Sequence, residues 1–320
     1  MAAFVTRTLD QSLLRGSRRA ALDQWWTSNL HFNQAGLGLV AVGSTPTLLK
    51  SDGTDVWVSN NGDADVTRIR ARDGANLGTW SGATSAVGVL IAMGKVFIAG
   101  QTTPGKLYEI DPSSSSAFPV STVASTLGNS PAGIAFDGNK IWTANVGGSV
   151  SIVSPGTWSV ATVTTGFSSL DGILFDGVSI WVTDQSAGKL FKLNSSGAVV
   201  QTVTVGASPA FPAFDGHNIW VPNFSDNSLT VVRSSDGVVL KTFSAGNGDK
   251  NGLSSPVQAA FDGQRILVTN EAGGLSFFKA ADLSIIGSFA TSGVSNPYGA
   301  CSDGTDFWVS FEGSSSIGRF

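Results

Sequence analysis

The chain has 320 residues and a net charge of −4, and its longest basic run is the pair Arg18-Arg19. A nucleic-acid footprint needs a basic stripe and a membrane-spanning helix needs roughly 20 apolar residues in a row; neither is present, so neither partner is expected. Charged residues make up only 13%, about half the usual share of about 25%. Gly, Ser, Thr and Asn take their place, a surface more typical of extracellular proteins or particle surfaces than of cytosolic enzymes.

Residues 1–36 show no strand pattern. "SRRAALDQWWTSN", Ser17 to Asn29, reads as a short helix with Ser17 as its cap. Ala21, Leu22, Trp25 and Trp26 fall on one face at helical spacing. Two adjacent tryptophans on so short a helix need burial. Leu22, Trp25 and Trp26 are expected either to pack on the rest of the chain or to bind a protein partner or further copies of this chain. The segment lacks the apolar stretch of a secretory signal, and Asp10 and Asp23 argue against a transit peptide.

From residue 37 onward the chain repeats itself. "FDGNKIWTAN" at Phe136, "FDGVSIWVTD" at Phe175 and "FDGHNIWVPN" at Phe214 are nearly one phrase. An Asp-Gly pair marks its phase at Asp52, Asp137, Asp176, Asp215, Asp262 and Asp303, with Met93-Gly94 in the remaining slot. Units of about forty residues with four short strands each are the length of propeller blades. In the fifth unit the strands are expected at Ala210–Phe214, Asn218–Pro222, Ser228–Arg233 and Val238–Phe243, with Asp215-Gly216 as a tight turn.

The last unit runs out at Phe320 after three strands. "VAVGSTPTLLKSDG", from Val40, aligns without a gap to "VTVGASPAFPAFDG", from Val203. Residues 37–43 therefore read as a fourth strand that completes blade 7, which removes an open seam. The predicted fold is all-β: a seven-bladed β-propeller over residues 37–320, closed three strands plus one, preceded by a helical arm over 1–36. Trp57, Trp142, Trp181, Trp220 and Trp308 share one position of the second strand, with Phe97 and Leu267 in the other two blades, and are expected to pack blade on blade. Cys301 is the only cysteine and reads as a small core residue.

"IWVTD" at Ile180, "ILVTN" at Ile266 and "VWVSN" at Val56 resemble the YVTN-type repeats of bacterial seven-bladed propellers, which are relatives of the NHL repeat. "FWVSFEGSSSIGRF", Phe307 to Phe320, resembles the repeat of virginiamycin B lyase. The first resemblance implies the propeller. The second implies elimination chemistry with a histidine base and a divalent ion. The chain has two histidines, His31 in the arm and His217 in a turn between first and second strands. That turn belongs to the face away from the expected ligand site, so the enzyme reading lacks a histidine base; a carboxylate base would depart from the pattern the resemblance implies.

In a propeller the loops joining strands 4–1 and 2–3 share one face, here the top. Each second strand ends there, at Asn60, Gly100, Asn145, Asp184, Asn223, Asn270 and Phe311. The following residues are Asn61, Gln101, Val146, Gln185, Phe224, Glu271 and Glu312. Asn and Asp at these ends either cap the turn through the backbone or converge on a ligand. Glu271 and Glu312 are two of only three glutamates and fall in adjacent blades. They could hold a divalent cation or a basic ligand group, with Asp171 and Asp184 opposite; no other cofactor is expected. The longest top loop, Ser244 to Ser255, carries Asn247, Asp249 and Asn251 without a calcium-loop anchor and reads as a binding loop. The expected function is non-catalytic: a ligand or partner on the top face and anchoring or assembly through the arm. The alternatives are a metal-assisted lyase of the virginiamycin B lyase type and a carbohydrate-binding, lectin-like propeller.

Overall fold

The computed structural model describes residues 38–116, 119–246, 250–291 and 293–320. The expected arm helix, with Leu22, Trp25, Trp26 and His31, lies outside the described residues, as do Asn247 and Asp249. The described chain forms seven four-stranded antiparallel sheets. Six have their strands in chain order. In the seventh, Leu39–Ala41 pairs with Ser316–Arg319, so the outer strand comes from the N-terminal side and the inner three from the C-terminal side. The predicted closure of the ring is present. No helix among the described residues is long and apolar enough to cross a membrane.

The repeated phrase has a double chemical cause. In each Asp-Gly blade the Asp Oδ1 accepts from the backbone N–H groups two and three residues on, as with Asp176 and Val178 (2.8 Å) and Ser179 (2.6 Å). In four blades the Oδ2 also accepts from the indole Nε1 five residues on. These pairs are Asp137–Trp142, Asp176–Trp181 and Asp215–Trp220 at 2.7 Å, and Asp303–Trp308 at 2.8 Å. One carboxylate thus sets the turn and satisfies a buried indole donor. Trp57 of blade 1 is the exception, with no partner for its Nε1.

Each of the five second-strand tryptophans is buried and packs on the next blade. Trp142 meets Leu170, Ile173 and Val182, and Trp308 meets Leu49, Val56 and Val58 across the closure. Phe97 and Leu267 do the same in their blades. Burying a large side chain at one radius in every blade gives the ring seven equivalent apolar joints.

Toward the axis the innermost strands approach too closely for side chains. A Cβ on Gly133 would meet the Asp171 carbonyl oxygen at 2.5 Å, and one on Gly172 would meet that of Ala210 at 2.5 Å. Hydroxyls near the end of the second strand tie neighbouring inner strands together: Thr183 to the Ala210 carbonyl (2.9 Å), Thr269 to that of Tyr298 (2.6 Å) and Ser310 to that of Thr47 (2.5 Å). Blade 5 departs from expectation. Its first strand is regular only over Ala213–Phe214. Pro212 withdraws a donor inside the strand, and Phe211 pairs instead with blade 6, through its N–H to the Val257 carbonyl (3.0 Å) and its carbonyl from the Ala259 N–H (3.0 Å).

Candidate functional site

The ends of the second strands divide into two rings with different roles. Asn60, Asn145, Asp184, Asn223 and Asn270 are fully buried and bonded inside their own blades. Asn145 donates to Ser149 and Ser151, both at 3.0 Å. Asn223 donates to Ser228 and Thr230 (2.9 Å each) and accepts from the Gly206 N–H (3.0 Å). Asn270 donates to Ser276 and accepts from the Ser254 N–H, each at 3.0 Å. Asn60 donates to Asp65 (2.6 Å) and Thr67 (2.8 Å). Asp184 accepts from the N–H groups of Ser168, Ser169 and Ala187 at 2.7 to 3.2 Å. Asp184, Asn223 and Asn270, which accept from backbone N–H groups, show the capping arrangement; Asn60 and Asn145 bond only to side chains of their own blades, and the Asn60 Oδ1 is buried without a partner. Burial leaves these groups no surface toward the channel.

The second ring does face the axis. Val146 and Phe224, from equivalent positions in blades 3 and 5, pack on a buried apolar cluster of Leu48, Val87, Ala132, Ala210, Phe211 and Val257. These come from the innermost strands and plug the channel; Phe211 of blade 5 meets Tyr298 of blade 7 edge to face at 6.1 Å. The same second-ring position carries Gln185, Glu271 and Glu312, all half-buried, in blades 4, 6 and 7.

One ring of the plug consists of Thr47, Val87, Ala132, Asp171, Ala210, Val257 and Tyr298, the residues that follow the start of each innermost strand. Asp171 is its only carboxyl and is 6% exposed. Burial pushes Asp171 up to about 7, opposed by a hydrogen bond from Gln185. Burial, and then the neighbouring Glu271, push Glu312 up to about 7. The Tyr298 hydroxyl is raised well above its ordinary value, first by burial and then by Asp171, Glu312 and Glu271. The three carboxyls and the phenol therefore share one electrostatic neighbourhood at the top of the plug. It offers negative charge, a hydroxyl donor and aromatic faces, which suits a cationic group.

Of the residues singled out in the sequence, the structure brings Glu271, Glu312 and Asp171 to this mouth and keeps Asp184 within its blade. Tyr298 and Gln185 complete the neighbourhood without having been singled out as a pair with Asp171. For Tyr298 a signal existed, since it breaks a column of mostly small or apolar residues in the aligned repeats; Gln185 stands in a polar column with Asn61, Gln101, Glu271 and Glu312 and gives none. His217 is exposed in the Asp215-Gly216 turn, at the opposite ends of the strands, beside Arg265 and Lys279 in a groove between blades 5 and 6. Asn251 of the long loop turns inward, donating to the Ser244 carbonyl (3.0 Å) and accepting from the Leu253 N–H (3.1 Å). Among the described residues no three His, Cys, Asp or Glu side chains gather as a metal-ligand set. Cys301 is buried and free.

No family model matches the chain, and no curated protein sequence matches it. Solved structures do match in shape. Hydrazine synthase of Kuenenia stuttgartiensis aligns at a TM-score of 0.72 and 13% identity, over 90% of this chain and 98% of that one. A streptogramin B lyase aligns at 0.70 and 14%, over 90% and 95%. The WD40 β-propeller domain of Doa1 aligns at 0.71 and 12%, over 89% and 96%. At such identities the likeness is one of fold alone. With seven closed four-stranded blades and these shape matches together, the chain is a seven-bladed β-propeller.

Proposed function

We propose that this propeller is a non-catalytic binding protein. Its ligand presents a positively charged group to the channel mouth formed by Asp171, Glu271, Tyr298 and Glu312. The observation that carries this reading is Asp171. A carboxyl in an otherwise uncharged ring costs stability when ionised, and a ligand cation would offset that cost. The described histidine, His217, lies on the other face, which supports binding over base-driven elimination. The strand-end amides of Asn60, Asn145, Asn223 and Asn270 are buried and bonded within their blades rather than open to a sugar, which disfavours the lectin reading. The arm, through Leu22, Trp25 and Trp26, is proposed to anchor the propeller to a partner or to its own copies.

Calorimetry at pH 8 with spermidine, a lysine-rich hexapeptide and calcium chloride tests the mouth. Saturable binding of either amine ligand, lost in Asp171→Asn and in Glu312→Gln, is expected. No binding by any probe, or binding that both variants retain, refutes the mouth; binding of calcium alone transfers the site to a divalent cation. Light scattering on the full chain and on a chain starting at residue 37 tests the arm. Assembly by the full chain only is expected if the arm associates with further copies.

A further inference from the structure

The outer half of the joint between blades 6 and 7 lacks two devices that close its counterparts. One is an apolar cover. The outer strands of blades 1, 4 and 5 tuck Trp80, Val203 and Phe243 out of solvent, all at one position of the repeat. The same position in blade 6 holds Phe289, on the strand Ser284–Phe289, and it is 60% exposed. The other device is a clamp two residues earlier. Gln201 of blade 4 donates to the Asp236 carbonyl of blade 5 (2.6 Å), and Lys241 of blade 5 donates to the Leu283 carbonyl of blade 6 (2.9 Å). Blade 6 has Gly287 there, with open space where a Cβ would stand. Across the joint blade 7 presents another glycine, Gly318, with Leu39 (40% exposed) and Phe320 beside it. Phe277 floors the gap, edge to face with Phe289 at 5.4 Å and with Phe307 of blade 7 at 6.0 Å. The result is an apolar notch on the rim, walled by Phe289 and Leu39.

Residues 1–37 join the described chain at this notch. The Gly38 carbonyl accepts from the Arg319 N–H (3.0 Å), and the next residue is Leu39 of the notch wall. We propose that the notch receives Trp25 and Trp26 of a second copy, so that two copies exchange arms across a two-fold axis at this rim; the proposal rests on the reading of the arm as an assembly device. Three arguments favour it. The root of the arm and the notch lie on one edge, which is the placement that reciprocal exchange about a two-fold requires. The notch offers exposed aromatic surface, and the sequence spacing of Leu22, Trp25 and Trp26 offers an apolar face of matching kind. The area also suffices. A tryptophan buries about 150–250 Å², so the four in two exchanged arms bury about 600–1,000 Å², and the notch surface they cover carries the total past the roughly 1,200 Å² of a stable interface. Trp26 and Gly38 are twelve residues apart, a reach of up to about 40 Å at about 3.3 Å per residue, enough to cross to a neighbouring copy.

Light scattering on full-chain variants tests the exchange. The parent is expected to be a dimer. Phe289→Lys, at an exposed position, should be monomeric at concentrations where the parent is dimeric, and so should the double variant Trp25→Ser, Trp26→Ser. Leu39→Glu, in the opposite wall, should match Phe289→Lys, which separates loss of the notch from a folding defect at one site. An equimolar mixture of Phe289→Lys and the tryptophan variant should associate again, since the first supplies an intact arm and the second an intact notch. With one arm seated rather than two, that pair should bind at least about tenfold more weakly than the parent. A Phe289→Lys chain that still dimerises while the tryptophan variant is monomeric overturns the notch and leaves the arm as an assembly device. A mixture that stays monomeric overturns the exchange, and a parent larger than a dimer overturns the two-fold. A monomeric parent overturns both the notch and assembly through the arm.

Discussion

Replacing Asp171 by Asn should make the protein more stable and a poorer binder. The carboxyl is buried, with an ordinary value of 3.8 raised to about 7. The folded protein therefore holds a proton between about pH 4 and pH 7 that the unfolded chain has already released. Stability from this group is fully present at pH 4 and is lost as pH rises to 7. About three pH decades at about 1.4 kcal/mol each set a ceiling of about 4 kcal/mol. Asn has the same shape, keeps an acceptor for Gln185 and never ionises, but its amide donor needs a partner, which lowers the gain to about 2–4 kcal/mol at pH 8. At about 2–4 °C per kcal/mol for a large domain, the melting point at pH 8 should rise by about 4–16 °C, while near pH 4, where only the amide's donor counts, the variant should lie level with the parent or below it by up to about 2 kcal/mol. Glu312 titrates in the same window, so a shallower slope should persist in the variant. Melts from pH 4 to pH 9 decide the matter. Curves that run parallel across that range would refute the argument that Asp171 is held neutral by burial.

Two further substitutions test the scaffold. Asp176→Ala removes the turn bonds and leaves the Trp181 indole unpartnered, whereas Asp52→Ala removes only turn bonds, because Trp57 already lacks a partner. In urea titrations the first should cost about 1–3 kcal/mol more than the second; equal losses would mean the indole bond contributes nothing. Ser310→Ala breaks the hydroxyl bond to the Thr47 carbonyl across the closure and the bond accepted from the Gly299 N–H (2.8 Å). A loss of about 1–3 kcal/mol is expected, although Ala99 and Ala144 fill the equivalent slot in blades 2 and 3. A neutral effect would show that apolar packing alone seals the ring.

The architecture was legible because each blade repeats one set of local demands. Asp-Gly turns, a large residue at a fixed offset and the unpaired strand at residues 37–43 point to one closed ring, and local and global signals agree. The site was only half legible. Glu271 and Glu312 stand out as rare residues in register, but Asn145, Asn223 and Asn270 look the same in sequence whether they cap a turn or face a ligand. Strand ends twist, and one residue separates the buried cap from the channel-facing side chain. The Asp–Trp bond was also hidden, since five residues separate partners whose meeting depends on the turn between them. Blade 5 hid its irregular first strand behind a good alignment, because the repeat keeps its spacing while Pro212 removes a donor inside the strand.

A repeat protein carries its own controls. Where seven positions are geometrically equivalent, the residue that suits the fold is the one that most blades use, and a departure that costs stability calls for a different cause. The upper column holds small, hydroxylic, aromatic and apolar residues and one carboxyl, Asp171. Among the described residues no lysine or arginine pairs with Asp171; its polar neighbour is Gln185. An ion pair would have been the structural solution for a buried charge, since burying one alone is costly. Apolar side chains of Leu48, Val87, Ala132, Phe211 and Val257 fill the rest of the plug instead. One carboxyl left without a cation, in one of seven equivalent positions, is expected of a binding site rather than of a structural joint, on a ring whose seven equivalent joints supply the stability.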